Sequence, residues 1–422
     1  MRVRLGLAAA LALVAVLALG SAGSSAAPSV STASSENAVV YWSGVAEGAI
    51  GAGRPPASSS VLGGMVHGAI YDAVAAVEGG LEPFATRVTS PPGASADAAV
   101  AQAAHDVLVA RVPGQAGPLQ IAYDAFMASI PAGPAKDAGK AVGAAAAAGM
   151  LALRAGDHFD DVVPYVQPTP GPGVFEPIAP TTPVDVKLGR VQPFTYESQS
   201  EYRPRGPIEL TSKRYADDVA ELQAYGRATG SARSPEQTET VRFFTDQTFV
   251  QYSRALRRLV NDRGLNLRES ARLLAYTHVA TGDTMIACWE AKYHYFNWRP
   301  THAIQRADTD GNPDTAPDTS WVPLVVGNHP EYPSGHSCFT AAVTESLKRY
   351  FGTKHVHFVV SSSVTGTTRT YENLDDLEAE VEDARVWGGL HFRSTMQASA
   401  NHFPRIARSV GQHYFLANDD RD

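Results

Sequence analysis

Two cysteines stand in 422 residues. That is too few for a scaffold built on disulfides, so the fold has to rest on a buried apolar core. Cys288 and Cys338 both sit beside apolar residues on stretches that read as helix. This is the usual setting of buried free thiols, and a single bridge between them is the other option in an exported protein. Charge is sparse as well. Asp, Glu, Lys and Arg make up 18% of the chain and the net charge is −8. No basic surface therefore advertises nucleic acid or an anionic membrane, and an anionic ligand would need a local basic pocket. Beyond the first twenty residues no uncharged apolar run reads as long enough to cross a membrane.

What is present begins with a leader. Met1-Arg2-Val3-Arg4 is a short basic start, Leu5 to Leu19 is apolar without charge, and small residues follow through Ala27. Residues 1–27 therefore read as a secretory signal peptide, which predicts a secreted, soluble mature protein. Residues 36–418 read as a single α-helical domain, since the length allows one large domain and no internal repeat divides it.

Apolar residues recur at helical spacing over Ser60–Val77, which stops at Gly79-Gly80, and Ala-rich helices are expected at Asp97–Arg111, Leu119–Ser129 and Ala135–Ala155. From Gly156 to Pro207 proline recurs and no period survives, while Phe159, Tyr165, Phe175, Phe194 and Tyr196 supply apolar anchors. This segment reads as an ordered wrapping loop. Helices resume over Lys213–Tyr225, over Pro235–Asn261 and over Leu267–Tyr295, where Pro300 forbids further extension. The acidic stretch Asp308–Asp318 lacks calcium-loop spacing and reads as a solvated turn. Val359–Thr370 suggests a short hairpin, and a helix starts near Asn373.

Three short stretches carry chemistry. Glu331-Tyr332-Pro333-Ser334-Gly335-His336 precedes an apolar helical run that closes at Gly352. Ser334 then falls near an N-cap, where its hydroxyl and the free amides beside it suit a tetrahedral anion, and His336 has the range to move a proton near neutrality. A Ser-Gly cap followed by a structural histidine is the plainer alternative. Lys292 and Arg299 lie at and just past the end of the long helix; a point charge and a planar donor fork suit phosphate-like oxygens, although cations there also offset the helix dipole. Trp289, one turn earlier, is by itself a core residue. The third stretch, Arg385-Val386-Trp387-Gly388-Gly389-Leu390-His391, pairs a cation with a histidine that could be a metal ligand, a nucleophile or a packed core group.

Taken together and in this order, Lys292 with Arg299, then Pro333-Ser334-Gly335-His336, then Arg385 with His391, the motifs resemble the signature of the vanadium-dependent haloperoxidase and type 2 phosphatidic acid phosphatase superfamily. The Met65-Val66-His67-Gly68-Ala69 helix and the proline-rich loop look like those of its secreted bacterial branch. The resemblance implies a mainly α, helical-bundle haloperoxidase-like fold with its catalytic motifs in 267–400. It implies vanadate as cofactor, with Lys292, Arg299 and Arg385 on its equatorial oxygens and Ser334 and the Gly335 amide adding hydrogen bonds. His391 would be the ligand on vanadium, and His336 would sit opposite. Trp289 and His329 would wall the halide path. His329 resembles bromoperoxidases at a position where fungal chloroperoxidases carry phenylalanine. One departure stands out: the family often places an acidic residue four positions after the axial histidine, and here that residue is Thr395. Asp383 or a backbone carbonyl is the expected substitute.

Two activities follow from the resemblance. In the first, vanadate-bound enzyme uses hydrogen peroxide to oxidise a halide, bromide before chloride. In the second, an acid phosphatase acts on a phosphate ester through a phosphohistidine at His391, with His336 protonating the leaving oxygen and vanadate acting only as inhibitor. A weak oxyanion-binding protein is the third reading.

Overall fold

The long helix over Leu267–Tyr295 is fixed at both ends by its own sequence. In a computed structural model that describes residues 37–178 and 182–416, Asn266 caps its first turn and Glu269 returns the bond, a reciprocal capping box. Phe296 closes it in the left-handed conformation. Residues 1–27, expected as a signal peptide, lie outside the described residues, as do 36, 417 and 418 at the expected domain edges.

In chain order the helices are α1 (Ala38–Gly51), α2 (Pro56–Glu78), α3 (Ala96–Arg111), α4 (Ala116–Ser129), α5 (Pro134–Leu153) and α6 (Lys213–Glu221). They continue as α7 (Pro235–Phe243), α8 (Thr248–Arg263), α9 (Leu267–Tyr295), α10 (Pro300–Gln305), α11 (Gly335–Phe351), α12 (Leu374–Trp387), α13 (Arg393–His402) and α14 (Pro404–His413). The fold is mainly α, as the periodicities and the resemblance imply. One antiparallel hairpin, β1 (Phe358–Ser361) with β2 (Thr368–Tyr371), pairs Phe358 with Tyr371 where a hairpin was expected. Helix α9 is the axis: α2 lies along it, and α11 and α14 pack against it from the C-terminal half. Met65 and Ile70 of α2 and Leu274 and Ile286 of α9 are fully buried, and close packing of such side chains is the main stabilising term.

Four expectations need correcting. Pro235–Asn261 is two helices, because the chain turns at 244–247, where Asp246 accepts from the Ser363 amide (2.7 Å) and hydroxyl and Gln247 caps α8. Lys213–Tyr225 ends its α-helical part at Glu221 and widens into a π turn at Leu222–Gly226. Helix α2 is in fact long and apolar enough to cross a membrane, but most of it is buried as core. Cys288 and Cys338 are not free thiols. They form a disulfide between α9 and α11, with Cα atoms 6.6 Å apart.

The proline-rich segment is an ordered wrap, laid along α9. Asp283, buried inside that helix, accepts from the amides of Phe194 (2.6 Å) and Thr195 (3.1 Å) and from the Thr195 hydroxyl. Arg203 pairs with Glu290 (Nε to Oε2, 2.9 Å), and Tyr295 donates to the Pro204 carbonyl. At its near end Val174 bridges to Asn297, and the Val184 carbonyl accepts from Trp289 Nε1 and the Tyr293 hydroxyl. The Asp308–Asp318 stretch is a turn, with buried Asp310 accepting from the Asn312 amide and the Thr315 hydroxyl. Among the described residues no cluster of His, Cys, Asp and Glu could hold a metal by itself.

Candidate active site

Three cations are buried at one end of α9. Lys292 occupies its last turn. The left-handed turn at Phe296 then sends Asn297, Trp298 and Arg299 across the wrap, and Arg299 begins α10 just before Pro300. Arg385 lies in the last turn of α12. All three are nearly excluded from solvent, Lys292 fully.

Their partners are almost entirely backbone carbonyls. Lys292 Nζ donates to Pro330 (2.9 Å), Glu331 (3.1 Å) and Pro333, three acceptors for the three N–H of an ammonium. Arg299 donates from Nε to the His329 carbonyl (2.6 Å), from Nη1 to the Leu390 carbonyl (2.9 Å) and from Nη2 to the His329 ring (2.7 Å). Arg385 donates from Nη1 to the Phe244 carbonyl (3.0 Å), and its buried Nε has no partner. Burial pushes all three down from their ordinary values, Arg299 to about 10 and Arg385 to about 9, and neighbouring cations add to this for Lys292 and Arg385. A cation held this way favours an arriving anion, which would reverse both effects.

Ser334 caps α11 as the motif suggests, accepting from the Ser337 amide (3.4 Å) while its own amide donates to Ser399 (3.0 Å). The Gly335 and His336 amides lie in the first turn, where no intrahelical acceptor exists. A Cβ on Gly335 would meet the Trp289 ring at 3.0 Å, so glycine here lets the tryptophan close the wall. Trp289 also lies 5.2 Å from the His329 ring and 5.5 Å from Lys292 Nζ. Trp289, Lys292, Arg299, His329, Ser334 and Gly335 are therefore brought to one end of the bundle. His336 bonds through Nε2 to the Thr248 hydroxyl (3.2 Å) and shares the Phe244 carbonyl with Arg385. The break between α7 and α8, which the periodicity conceals, supplies both.

His391 follows Gly388-Gly389. Gly389 has φ +74°, and a Cβ there would lie 2.6 Å from the Gly226 carbonyl, so the chain can turn only with glycine. The imidazole is buried. Its Nε2 lies 3.5 Å from Arg299 Nη1, and its Nδ1 lies 2.9 Å from Glu331 Oε1. A carboxylate only accepts, so Nδ1 carries the proton and Nε2 keeps its lone pair, facing Arg299. Burial first, then Arg299, Lys292 and Arg385, hold His391 well below the ordinary histidine value; burial with the same three cations does so for His336, and burial with Arg299 and Lys292 for His329.

The expected stand-in for the missing acid is corrected here: Asp383 pairs with Arg393 (2.7 Å), and the carboxylate that meets His391 is that of Glu331. Glu331 also accepts from the Phe392 amide (3.1 Å), Asn297 Nδ2 (3.0 Å) and the Thr395 hydroxyl (2.9 Å). Burial pushes its carboxyl up to about 7 against the opposing pull of Arg299 and Lys292. Four donors converge on its two oxygens, the pattern of an ionised carboxylate. Glu331 stood in view within the serine motif, but nothing in a separation of 60 residues marks it as a partner of His391.

A family model for the VCPO second helical-bundle domain matches residues 272–418. The vanadium chloroperoxidase of Curvularia inaequalis is 26% identical over 284 residues, 51% of this chain and 46% of that protein. The match thus spans about half the length of the curated relative. Among solved structures, a bacterial vanadium-dependent iodoperoxidase superposes with a TM-score of 0.76 at 17% identity, covering 90% of this chain and 97% of that one. A bacterial vanadium-dependent chloroperoxidase in its holo form gives a TM-score of 0.70 at 16% identity, covering 85% and 92%. At these identities the structural likeness speaks for the fold.

Proposed function

The chain belongs to the vanadium haloperoxidase superfamily, and from that premise we propose that it is a vanadate-dependent haloperoxidase that oxidises halide with hydrogen peroxide, bromide in preference to chloride. One observation carries the reading: three buried cations, Lys292, Arg299 and Arg385, face one buried carboxylate, Glu331, and Arg385 Nε has no partner. Burying unbalanced charge is costly, and an oxyanion among these groups would offset it.

The donor set fits vanadate. Lys292, Arg299 and Arg385 would hold its oxygens by charge, the Ser334 hydroxyl and Gly335 amide would add hydrogen bonds, and His391 Nε2 would be the ligand to vanadium. When bound, vanadate supplies a Lewis-acid centre at which hydrogen peroxide becomes reactive toward halide. The protein's own groups do the rest. Glu331 keeps the His391 proton on Nδ1, and His336, held neutral beside Thr248, is placed to accept and return a proton at Nε2. Trp289 and the wrap exclude water from one side, and His329 presents a neutral ring where bromoperoxidases resemble this sequence. The leader over 1–27 supports secretion, which N-terminal sequencing of the exported protein would check.

A phosphatase is kept as second reading for one reason: an imidazole held at Nδ1 with Nε2 free is also fit to attack phosphorus. Apo-protein supplied with orthovanadate should brominate a dye in peroxide and bromide, more slowly with chloride, and hydrolyse p-nitrophenyl phosphate poorly. His391→Ala should lower bromination at least a hundredfold. Vanadate-inhibited hydrolysis without bromination would move the assignment to the phosphatase.

A further inference from the structure

We propose that Glu331 is a positioning residue that has taken over, from a different element, the acidic role missing at position 395, and that it fixes the tautomer of His391. The inference rests on the oxyanion reading above, but its geometry is visible without any ligand.

The carboxylate is fully buried, and its contacts divide cleanly. Oε1 takes the His391 Nδ1–H at 2.9 Å and the Phe392 amide at 3.1 Å, while Oε2 takes Asn297 Nδ2 at 3.0 Å and the Thr395 hydroxyl at 2.9 Å. Thr395 has therefore not left a gap. Its hydroxyl steadies the carboxylate that replaces its own, from one helical turn beyond the histidine. Asn297 does the same from the turn after α9, and the Glu331 backbone is tied in too, its carbonyl accepting from Lys292 and its amide donating to the Asn297 carbonyl (2.8 Å). One residue thus links the stretch carrying Lys292 and Arg299, the stretch carrying Ser334 and His336, and the stretch carrying His391. A carboxylate held by four donors has little freedom to rotate, so the imidazole it accepts from is fixed in both tautomer and ring angle. Arg299 Nη1, 3.5 Å from Nε2, is a further donor that suits an unprotonated Nε2.

The test uses the full-length mature protein with ¹⁵N-labelled histidine and no ligand, His391→Ala identifying the signal. Wild type should show His391 protonated at Nδ1. Glu331→Ala should move it to the Nε2–H form or a mixture, and Glu331→Gln, nearly isosteric, should keep Nδ1–H. Equilibrium dialysis against orthovanadate should show the dissociation constant raised about 10–100-fold in Glu331→Ala, less in Glu331→Gln, and largely recovered in Glu331→Ala/Thr395→Asp. An unchanged His391 tautomer in Glu331→Ala overturns the proposal, even if affinity falls, since the loss would then be one of packing. If the alanine variant does not fold, Glu331→Leu, which fills the same space without an acceptor, takes its place, and an unchanged His391 tautomer there overturns the proposal in the same way. Wild type that binds no vanadate sinks the functional reading, while the ligand-free tautomer still decides the role of Glu331.

Discussion

Cys288 and Cys338 join the helix that carries Lys292 to the helix that carries His336. Trp289 follows the first cysteine directly, and Ser334 lies one turn before the second, so the bridge pins the two faces between which an anion would sit. Closing a loop of 50 residues removes enough freedom from the unfolded chain to stabilise the fold by roughly 2–4 kcal/mol. The double variant Cys288→Ala/Cys338→Ala should unfold at correspondingly lower urea and bind vanadate more weakly. Coincident urea curves for oxidised and reduced wild type would show that the bridge contributes nothing.

The cation cluster predicts a trade between stability and binding. Lys292, Arg299 and Arg385 repel one another in a dry site, and burial already pushes each toward losing its proton. Arg385→Met should therefore leave the ligand-free protein as stable as wild type or slightly more so. Wild type should gain melting temperature on adding millimolar orthovanadate, by linkage, and the variant should gain much less. Equal thermal shifts in the two proteins would remove Arg385 from the anion site.

These sites differ in how far the sequence discloses them. Helix α9 is legible to the residue because its capping box and the proline after it are local signals. The cations and Ser334 are legible because they sit in short motifs at fixed spacing. Three features depend on contacts between distant stretches. The break after Phe243, which aims Phe244 and Thr248 at Arg385 and His336, is held by Asp246 reaching Ser363. The disulfide needs α9 and α11 side by side. The Glu331–His391 pair needs the turns after both α9 and α12 in place, and periodicity within one segment carries no information about any of these.

A second histidine pair, far along α9 from Lys292, predicts acid sensitivity. His67 stacks on His278 with ring centroids 3.9 Å apart, and His67 is bonded to the Gly63 carbonyl (2.9 Å) and the Ser43 hydroxyl (3.1 Å). Burial lowers His67 from 6.5 to about 4. The unfolded chain therefore takes up its proton first, and stability falls as pH drops below 6.5 until the folded group titrates near 4. For this one group the loss is on the order of 1 kcal/mol by pH 5.5. Asp72 and Asp283, raised by burial to about 6, slope the other way, so the comparison has to be with a variant that shares them. His67→Gln should lose less stability than wild type between pH 7.5 and 5.5 in chemical denaturation. Parallel pH profiles would exclude His67 as the source.

Asp283 predicts how the wrap is held. Its carboxylate is fully buried within α9, yet it accepts from two amides and a hydroxyl of the wrap at Phe194 and Thr195. Asp283→Ala would strand those donors in a dry interior, at a cost of about 1–3 kcal/mol for each one left unmatched. The chain can relieve this only by lifting the wrap and exposing the donors to water. The same segment carries Val184, whose carbonyl accepts from Trp289 and Tyr293 beside the proposed anion site. Asp283→Ala should therefore be cut by protease within 182–205 faster than wild type and show redder tryptophan emission. If cleavage there is unchanged while global stability falls, the wrap is held by its other contacts, Arg203–Glu290 and Tyr295–Pro204 among them, and Asp283 serves only the core.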